Sequence, residues 1–273
     1  MNVRVAFIAL ALTGLVFSKL ICAQETGGVP ETKAPVAATP QAPPATAVAV
    51  QSTAPAAMSR EDLMKYDWPW LGRFKEDDLK LGPPAAGEDR VVFMGDSITE
   101  GWHIGDSFPG KPYINRGISG QTTPQMVLRF HQDVIGLKPK VVIVLAGIND
   151  IAGNTGPMTL EETENNLAAM AEMAAANQIK VVLCSVLPAF DFPWHPGMTP
   201  SPKVVALNEW IKAYAAEKGH VYVDYYSTMK DERGGLPATL SSDGVHPLPA
   251  GYAMMTPLAE AGIEKALKAG NRE

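Results

Sequence analysis

The sequence VVFMGDSITEGW, residues 91–102, contains the turn from which the rest of the chain can be interpreted. Four apolar residues, Val91 to Met94, are typical of a strand buried in a sheet, and they lead directly into Gly95-Asp96-Ser97. A serine at the end of a strand either caps the helix that follows or presents its hydroxyl group to a substrate. The remaining sequence has to distinguish these two interpretations.

Strand and helix patterns alternate along the chain from this stretch onward. Apolar segments predict five strands, at residues 90–95, 113–115, 141–147, 180–187 and 221–226. Helical patterns occupy residues 123–137, 160–178, 202–218 and 248–268. Continuous apolar strands that alternate with helices indicate an α/β fold with a parallel sheet covered on both faces. Binding sites in such folds lie at the carboxyl ends of the strands.

Polar residues of a specific kind follow the predicted strands at that edge of the sheet. Ser97 follows the first strand, Gly120 the second and Asn149 the third, while Asp243 and His246 follow the last strand and a loop. A serine hydroxyl becomes nucleophilic when a base removes its proton, and His246 suits that role. Asp243, three residues before the histidine, is close enough to hold the imidazole in one tautomer. The pattern therefore predicts a catalytic triad of Ser97, His246 and Asp243.

The same edge offers donors for the oxyanion that forms during acyl transfer. The backbone amides of Ser97 and Gly120 and the side-chain amide of Asn149 are the predicted oxyanion hole. A glycine at position 120 suits this role because a residue without a Cβ allows a substrate to approach the backbone N–H closely. Asp96 and Asp150, which neighbour these positions, are predicted to make structural hydrogen bonds and not to transfer protons.

Together these blocks resemble the SGNH (GDSL) hydrolase family. The resemblance rests on Ser97 in GDS, Gly120 in ISG, Asn149 in GIND, and Asp243 with His246 in DGVHP, and it spans about residues 90 to 260. It implies a flavodoxin-like three-layer sandwich with five parallel strands, a Ser–His–Asp triad and a three-donor oxyanion hole. The family includes carbohydrate acetylesterases, lysophospholipases and thioesterases. Ile148 in GIND departs from many members, which carry a small or hydroxyl residue there.

The segment before the predicted domain divides into two parts. A basic start and the apolar run Val5–Phe17 predict a signal peptide over residues 1–23, because 13 apolar residues are too short to span a bilayer comfortably. This predicts an exported protein, periplasmic or extracellular, with no stable membrane insertion after cleavage. Lipid attachment at Cys22 is the less favoured alternative, since Ile21 fits poorly before a modified cysteine.

Residues 24–57, rich in Pro, Ala and Thr, predict a disordered linker. The hydrolase domain is then predicted over 58–273. It opens with a helical segment capped by Ser59 and anchored by Trp68, Trp70, Leu71 and Phe74.

Composition excludes several partners and cofactors. The formal net charge of −6 argues against a polyanion such as nucleic acid as the main partner. No glycine-rich phosphate loop follows a predicted strand, and the five histidines lack ligand spacing with Cys, Asp or Glu. We therefore predict neither a cofactor nor a metal ion.

The expected substrate is a short-chain ester, with acetyl as the expected acyl group, carried on a small molecule or a polysaccharide. Trp194, in the proline-rich loop 188–202, is predicted to bind a sugar ring, and Trp102 is predicted to narrow the acyl pocket. The alternative for these aromatic residues is simple packing of the loop onto the domain. Two other functions stay open: a lysophospholipase or thioesterase acting on longer acyl chains, and a non-catalytic carbohydrate-binding module.

Overall fold

The computed structural model describes residues 59–269 of the 273-residue chain. All of them belong to the unit Pro55–Glu273. The predicted signal peptide and linker, residues 1–23 and 24–57, lie outside the described part of the chain. Within residues 59–269, no helix is both long and apolar enough to cross a membrane.

A five-stranded parallel sheet forms the centre of the fold. Its strands are β1 (Val91–Gly95), β2 (Tyr113–Gly117), β3 (Val141–Leu145), β4 (Lys180–Cys184) and β5 (Val221–Val223). They are ordered β2-β1-β3-β4-β5, and Gly95 at the end of β1 lies in register with Gly117 and Leu145 on either side. Strands β1 and β3 are buried along their whole length, as expected for a sheet covered on both faces. The predicted five-stranded parallel sheet is confirmed.

Helices flank this sheet and complete the three-layer sandwich. They are α1 (Arg60–Tyr66), α2 (Lys75–Leu81), α3 (Ser97–Glu100), α4 (Ile104–Ser107), α5 (Thr123–Asp133), α6 (Ile148–Ile151), α7 (Leu160–Ala176), α8 (Ser201–Lys218), α9 (Tyr226–Met229) and α10 (Pro249–Ala269), with a 3₁₀ turn at Ile135–Leu137. Helix α7 packs between α5 and α8, while α10 packs on β3, β4 and β5. With this strand order, right-handed crossovers place α5, α7 and α8 on one face of the sheet and α10 on the other face.

Three predicted strands end earlier than the apolar pattern suggested, and the first of them, β3, stops at Leu145 and not at residue 147. Strand β4 stops at Cys184, and the apolar residues beyond it pair with a side chain: Asn208 accepts from the Val186 amide at 2.7 Å and donates to the Val186 carbonyl at 3.0 Å. Strand β5 stops at Val223, and Tyr226 begins α9. The apolar residues beyond these strand ends are buried or partly buried but lie outside the paired strands. An apolar run predicts that residues are buried, and it does not predict where strand pairing stops.

The N-terminal segment, for which the sequence predicts a helical segment, contains two short helices before β1 and is held to the domain by hydrogen bonds. The side chains of Gln121 and Gln125 donate to the carbonyls of Pro69 and Trp68, at 2.9 and 2.7 Å. Phe74 is buried, but Leu71 is 38% exposed, so the prediction of Leu71 as an anchor is wrong. The Leu71 carbonyl accepts a hydrogen bond from the Gln132 side chain of α5.

Arg129 is the largest fully buried side chain near the end of β1. Its guanidinium donates to Gln121 Oε1 at 2.5 Å, to Asp133 Oδ2 at 2.9 Å and to the Gly95 carbonyl at 3.0 Å. Burial lowers the pKa of Arg129, and the neighbouring Asp133 carboxylate opposes that shift. The charge is therefore tolerated because its partners surround it.

Replacing this arginine should be strongly destabilising. We expect Arg129→Ala to lower the free energy of unfolding by about 3–5 kcal/mol, because Asp133 is left buried without its counter-charge. Urea unfolding measures this value. Leu128→Ala is the matched control, since Leu128 is 55% exposed on the same helix, and we expect a change within about 0.5 kcal/mol. Equal stabilities of the two variants would contradict the role assigned to Arg129.

Candidate active site

Ser97 is the first residue of a short helix, and it does not cap that helix. The capping role belongs to Asp96, whose Oδ1 accepts from the Ile98 amide at 3.0 Å. Gly95 makes this sharp turn possible, because a Cβ there would lie 2.1 Å from Thr99 Oγ1 and 2.7 Å from the Leu145 carbonyl oxygen. The Ser97 hydroxyl is thus free to contact another element of the fold.

That other element is the loop between α9 and α10, which carries His246. Ser97 Oγ lies 2.9 Å from His246 Nε2. His246 Nδ1 lies 2.6 Å from Asp243 Oδ2. The three side chains therefore form the linear hydrogen-bonded arrangement in which an imidazole can remove the hydroxyl proton while a carboxylate orients the ring.

Asp243 is held by its own loop, although its side chain is 35% exposed. Oδ1 accepts from Ser241 Oγ at 3.0 Å and from the amides of Val245 and His246 at 2.9 and 2.8 Å. Partial burial alone would raise the pKa of Asp243, but the hydrogen bonds from His246 and Val245 outweigh it and lower the pKa to about 2. The carboxylate is therefore ionised at neutral pH and can stabilise a positively charged imidazole.

The predicted oxyanion donors lie beside this arrangement. Within residues 59–269, neither the Ser97 amide nor the Gly120 amide has a protein hydrogen-bond partner. Gly120 has a φ of +77°, a conformation that favours glycine, and a Cβ there would meet no atom within 4 Å. A Cβ at position 120 would therefore clash with no protein atom, but an alanine there would strain the backbone at this positive φ.

Asn149 is held in place through both ends of its side chain. Nδ2 donates to the Gln121 carbonyl at 2.9 Å, and Oδ1 accepts from Asn154 Nδ2 at 2.8 Å. Because an amide NH₂ group carries two hydrogens, Nδ2 retains one donor for a ligand. Asn154 was not among the predicted residues, and its position in a loop after α6 carries no motif that would have identified it.

Asp96 and Asp150 make structural hydrogen bonds, as predicted. Asp150 accepts from the Thr123 amide at 3.1 Å and from the Thr123 hydroxyl, which ties the turn after β3 to the start of α5. Burial raises the pKa of Asp96 to about 7 and that of Asp150 to about 6, and the hydrogen bonds to each carboxylate act against the shift. Asp96 Oδ2 is buried and has no hydrogen-bond partner within the described residues.

A cavity of about 480 Å³ opens above Ser97 and His246. Its other lining residues are Ser119, Gly120, Asn149, Gly153, Asn154, Trp194 and His195. Four of the five predicted triad and oxyanion residues, Ser97, Gly120, Asn149 and His246, therefore line one cavity. The fifth, Asp243, lies behind His246 and contacts its ring. No cluster of three or more His, Cys, Asp or Glu side chains that could hold a metal ion occurs in the part of the chain that the structure describes.

Trp194 lines this cavity, and its contact with a sugar ring stays a prediction. Its ring stacks on buried Phe192 with centroids 5.2 Å apart and lies 6.1 Å from the His246 ring. Asp191 fixes the loop by accepting from the amides of Phe192 and Gly197, both at 2.9 Å. Trp194 remains 40% exposed, so its free surface is available to a ligand.

Trp102 is in a different place from the one predicted. It is 3% exposed, donates to Ser107 Oγ at 3.0 Å and packs against Phe93 and Tyr252. It lines a separate cavity of about 780 Å³ between α4 and α10 and does not line the cavity above Ser97. The placement of Trp102 in the acyl pocket is therefore corrected: helix α3 carries the chain away from Ser97 before position 102 is reached.

Comparison with known proteins places this geometry in a family. A GDSL-like lipase of Bacteroides thetaiotaomicron VPI-5482, known from its crystal structure, is 45% identical, with a TM-score of 0.71 over 73% of this chain and 100% of that one. An acetylxylan esterase of Geobacillus stearothermophilus is 27% identical over 55% of this chain and 72% of the esterase. The uncharacterized lipoprotein YqeF of Bacillus subtilis is 30% identical over 41% of this chain. The matched region covers 54% of YqeF, about half of its length.

The model of the GDSL-like lipase/acylhydrolase family matches residues 93–254, which include the turn at Ser97, the loop that carries Gly120 and the loop that carries His246. The predicted resemblance and the predicted class of ester hydrolase are confirmed. The chain belongs to the GDSL-like lipase/acylhydrolase family.

Proposed function

We propose that this protein is a serine esterase that removes short acyl groups, acetyl above all, from carbohydrates through an acyl-enzyme intermediate. The observation that carries the proposal is the chain of contacts from Ser97 Oγ to His246 Nε2, 2.9 Å, and from His246 Nδ1 to Asp243 Oδ2, 2.6 Å. The proposed catalytic residues are these three, with the amides of Ser97, Gly120 and Asn149 as the oxyanion hole.

The proposed mechanism has two halves, in each of which His246 acts first as a base and then as an acid. Ser97 Oγ attacks the ester carbonyl carbon while its proton moves to His246 Nε2, and the carbonyl oxygen becomes an oxyanion bound by the three amides. The intermediate then releases the alcohol, which takes the proton from His246 as the C–O bond breaks. In the second half, His246 removes a proton from water, water attacks the acyl-serine, and Ser97 leaves with the proton returned from His246.

The lining of the cavity supports a short acyl group. Apart from Trp194, the residues around Ser97 are glycines, hydroxyl or amide side chains and histidines, so a long alkyl chain would bury little apolar surface there. The larger apolar cavity that includes Trp102 shares no lining residue with the one above Ser97. The similarity to an acetylxylan esterase, at 27% identity, also favours acetyl groups on a carbohydrate.

Two alternatives are less well supported. A lysophospholipase or thioesterase needs an apolar channel for the acyl chain, and the polar lining above Ser97 argues against one. A non-catalytic carbohydrate-binding module has no need for a hydrogen-bonded Ser97–His246–Asp243 arrangement.

We further propose the organisation that the sequence predicts for the full chain: an export signal over 1–23, a linker over 24–57 and the hydrolase domain over 58–273. The apolar run Val5–Phe17 supports export. The similarity to a protein named as a lipoprotein is compatible with export and keeps lipid attachment at Cys22 as an alternative.

Removal of the proposed nucleophile should abolish turnover without unfolding the protein. We expect Ser97→Ala to lower kcat on 4-nitrophenyl acetate by about 10⁴–10⁶-fold, as when a triad serine is lost elsewhere. Stability should stay within about 1 kcal/mol, because a half-buried hydroxyl group is removed. A fluorophosphonate probe should label the native protein and not the variant. Near-normal turnover of the variant would exclude Ser97 as the nucleophile.

Removal of one oxyanion donor should affect kcat and leave KM nearly unchanged. We expect Asn149→Ala to lower kcat by about 10²–10³-fold, the scale observed when one such donor is lost. Steady-state kinetics on the acetyl ester measures both constants. A rise in KM with normal kcat would show instead that Asn149 only binds substrate.

The acyl preference can be measured with esters of one alcohol. We expect 4-nitrophenyl acetate to be hydrolysed with a kcat/KM at least about 10-fold above that of the decanoate, because the longer chain finds no apolar lining near Ser97. Acetate release from acetylated saccharides tests the alcohol part of the proposal. A preference for chains of eight or more carbons would overturn the assignment and favour the lysophospholipase alternative.

A further inference from the structure

The N-terminal segment forms one wall of a second cavity next to the candidate active site. This cavity has a volume of about 350 Å³. Leu63, Met64 and Trp70 line it on the side of the segment, and Gln121, Gln125 and Thr155 on the side of the domain. It shares Ser119, Gly120 and Asn154 with the cavity above Ser97, so the two cavities adjoin at the loop that carries the proposed oxyanion donor.

Trp70 is held in an unusual backbone conformation. Its φ is +58°, a region that bulky residues rarely adopt and that costs about 1–3 kcal/mol. Asp67 maintains this turn: its carbonyl accepts from the Trp70 amide at 2.8 Å, and its carboxylate accepts from the amides of Leu71 and Gly72 at 2.8 and 2.9 Å. The turn therefore fixes the backbone of Trp70, and the residue is only partly buried.

The position of Trp70 is also fixed relative to Gly120. The two residues before Trp70, Trp68 and Pro69, accept through their carbonyls from Gln125 and Gln121 at 2.7 and 2.9 Å. Gln121 is the residue after Gly120 in the chain. Any ligand that contacts both the indole and the Gly120 amide would thus meet a preformed surface.

The cavity combines an apolar wall with a hydrogen-bonding wall. Gln121 and Gln125 use both ends of their amides within the protein, whereas Asn154 Oδ1 has no hydrogen-bond donor among the described residues. A pyranose ring has the matching character, with C–H groups on its faces and hydroxyl groups on its edge. An alkyl chain would leave the Asn154 oxygen without a partner.

We propose that Trp70, with Leu63, Met64 and Asn154, forms a subsite for a sugar ring adjacent to the one that carries the acetyl group, so that the protein prefers acetylated oligosaccharides over acetylated monosaccharides. This rests on the proposed function. Binding energy gained at this distance from the reacting ester raises kcat/KM for the longer substrate and leaves small esters unaffected.

The experiment compares Trp70→Ala with the native protein on three substrates: 4-nitrophenyl acetate, acetylated xylose and acetylated xylotriose. We expect kcat/KM for the trisaccharide to fall by about 3- to 10-fold, the range that loss of one aromatic contact gives, with changes below about twofold on the other two. Trp70→Phe should recover most of the loss. Trp68→Ala is the matched control, because Trp68 lies in the same turn and does not line the cavity.

A measurement that does not depend on turnover uses Ser97→Ala as the background. Calorimetric titration with acetylated xylotriose should show binding that weakens about 3- to 10-fold when Trp70→Ala is added. Should Trp70→Ala prove poorly folded, Asp67→Asn, which weakens the turn and keeps the indole, should lower the trisaccharide preference in the same direction.

The outcomes separate the two proposals. Equal kcat/KM losses on all three substrates, or no loss on the trisaccharide, would overturn the subsite and leave the esterase intact. If the native protein hydrolyses 4-nitrophenyl acetate but neither saccharide, the proposed carbohydrate substrate fails, and the sugar subsite fails with it. If it hydrolyses none of the three, the proposed esterase function itself fails.

Discussion

The guanidinium of Arg129 is completely buried and donates to acceptors in three separate segments: the Gly95 carbonyl at the end of β1, the Gln121 side chain after Gly120, and Asp133 on its own helix. Gln121 extends these connections, because its side chain donates to the Pro69 carbonyl and its carbonyl accepts from Asn149 Nδ2. The turn that carries Ser97, the loop that carries Gly120 and the Asn149 side chain are thus joined through one buried charge. Donors that act on a transition state must be held in advance, so this network supports the oxyanion hole that we propose for Ser97, Gly120 and Asn149.

Two buried carboxyl groups support the turns after β1 and β3, and burial makes their ionised forms less stable. Asp96 caps α3 and Asp150 ties α6 to α5, yet burial raises the pKa of both, which means that their ionised forms are less stable here than in water. The hydrogen bonds that each carboxylate accepts offset part of that cost. Strained or desolvated groups of this kind are common where a fold must present a polar side chain at the end of a buried strand.

The sequence was sufficient to predict the sheet and the residues that meet at its edge, because strand ends in a parallel sheet converge and the polar residues follow those ends. It was insufficient for contacts that depend on packing between distant segments. Arg129 sits in an ordinary amphipathic helix, and nothing in its neighbourhood in the chain reveals that it reaches Gly95. Trp102 shows the opposite error: proximity to Ser97 in sequence suggested proximity in space, but the turn of α3 directs the indole toward α4 and α10.

The Ser97–His246 contact joins two parts of the fold, each of which is also stabilised by hydrogen bonds of its own. Asp243 and His246 belong to a loop that is closed by its own hydrogen bonds, including Leu248 N to the Leu240 carbonyl at 2.7 Å, while Ser97 depends on β1 and Arg129. The Tyr252 hydroxyl at the start of α10 connects them by donating to the Ile98 carbonyl at 2.9 Å. Burial raises the pKa of Tyr252 to about 12, so this donor keeps its proton at neutral pH. Trp102 packs against the Tyr252 ring, with centroids 5.7 Å apart, and so supports the spacing between Ser97 and His246 from behind the site without lining it.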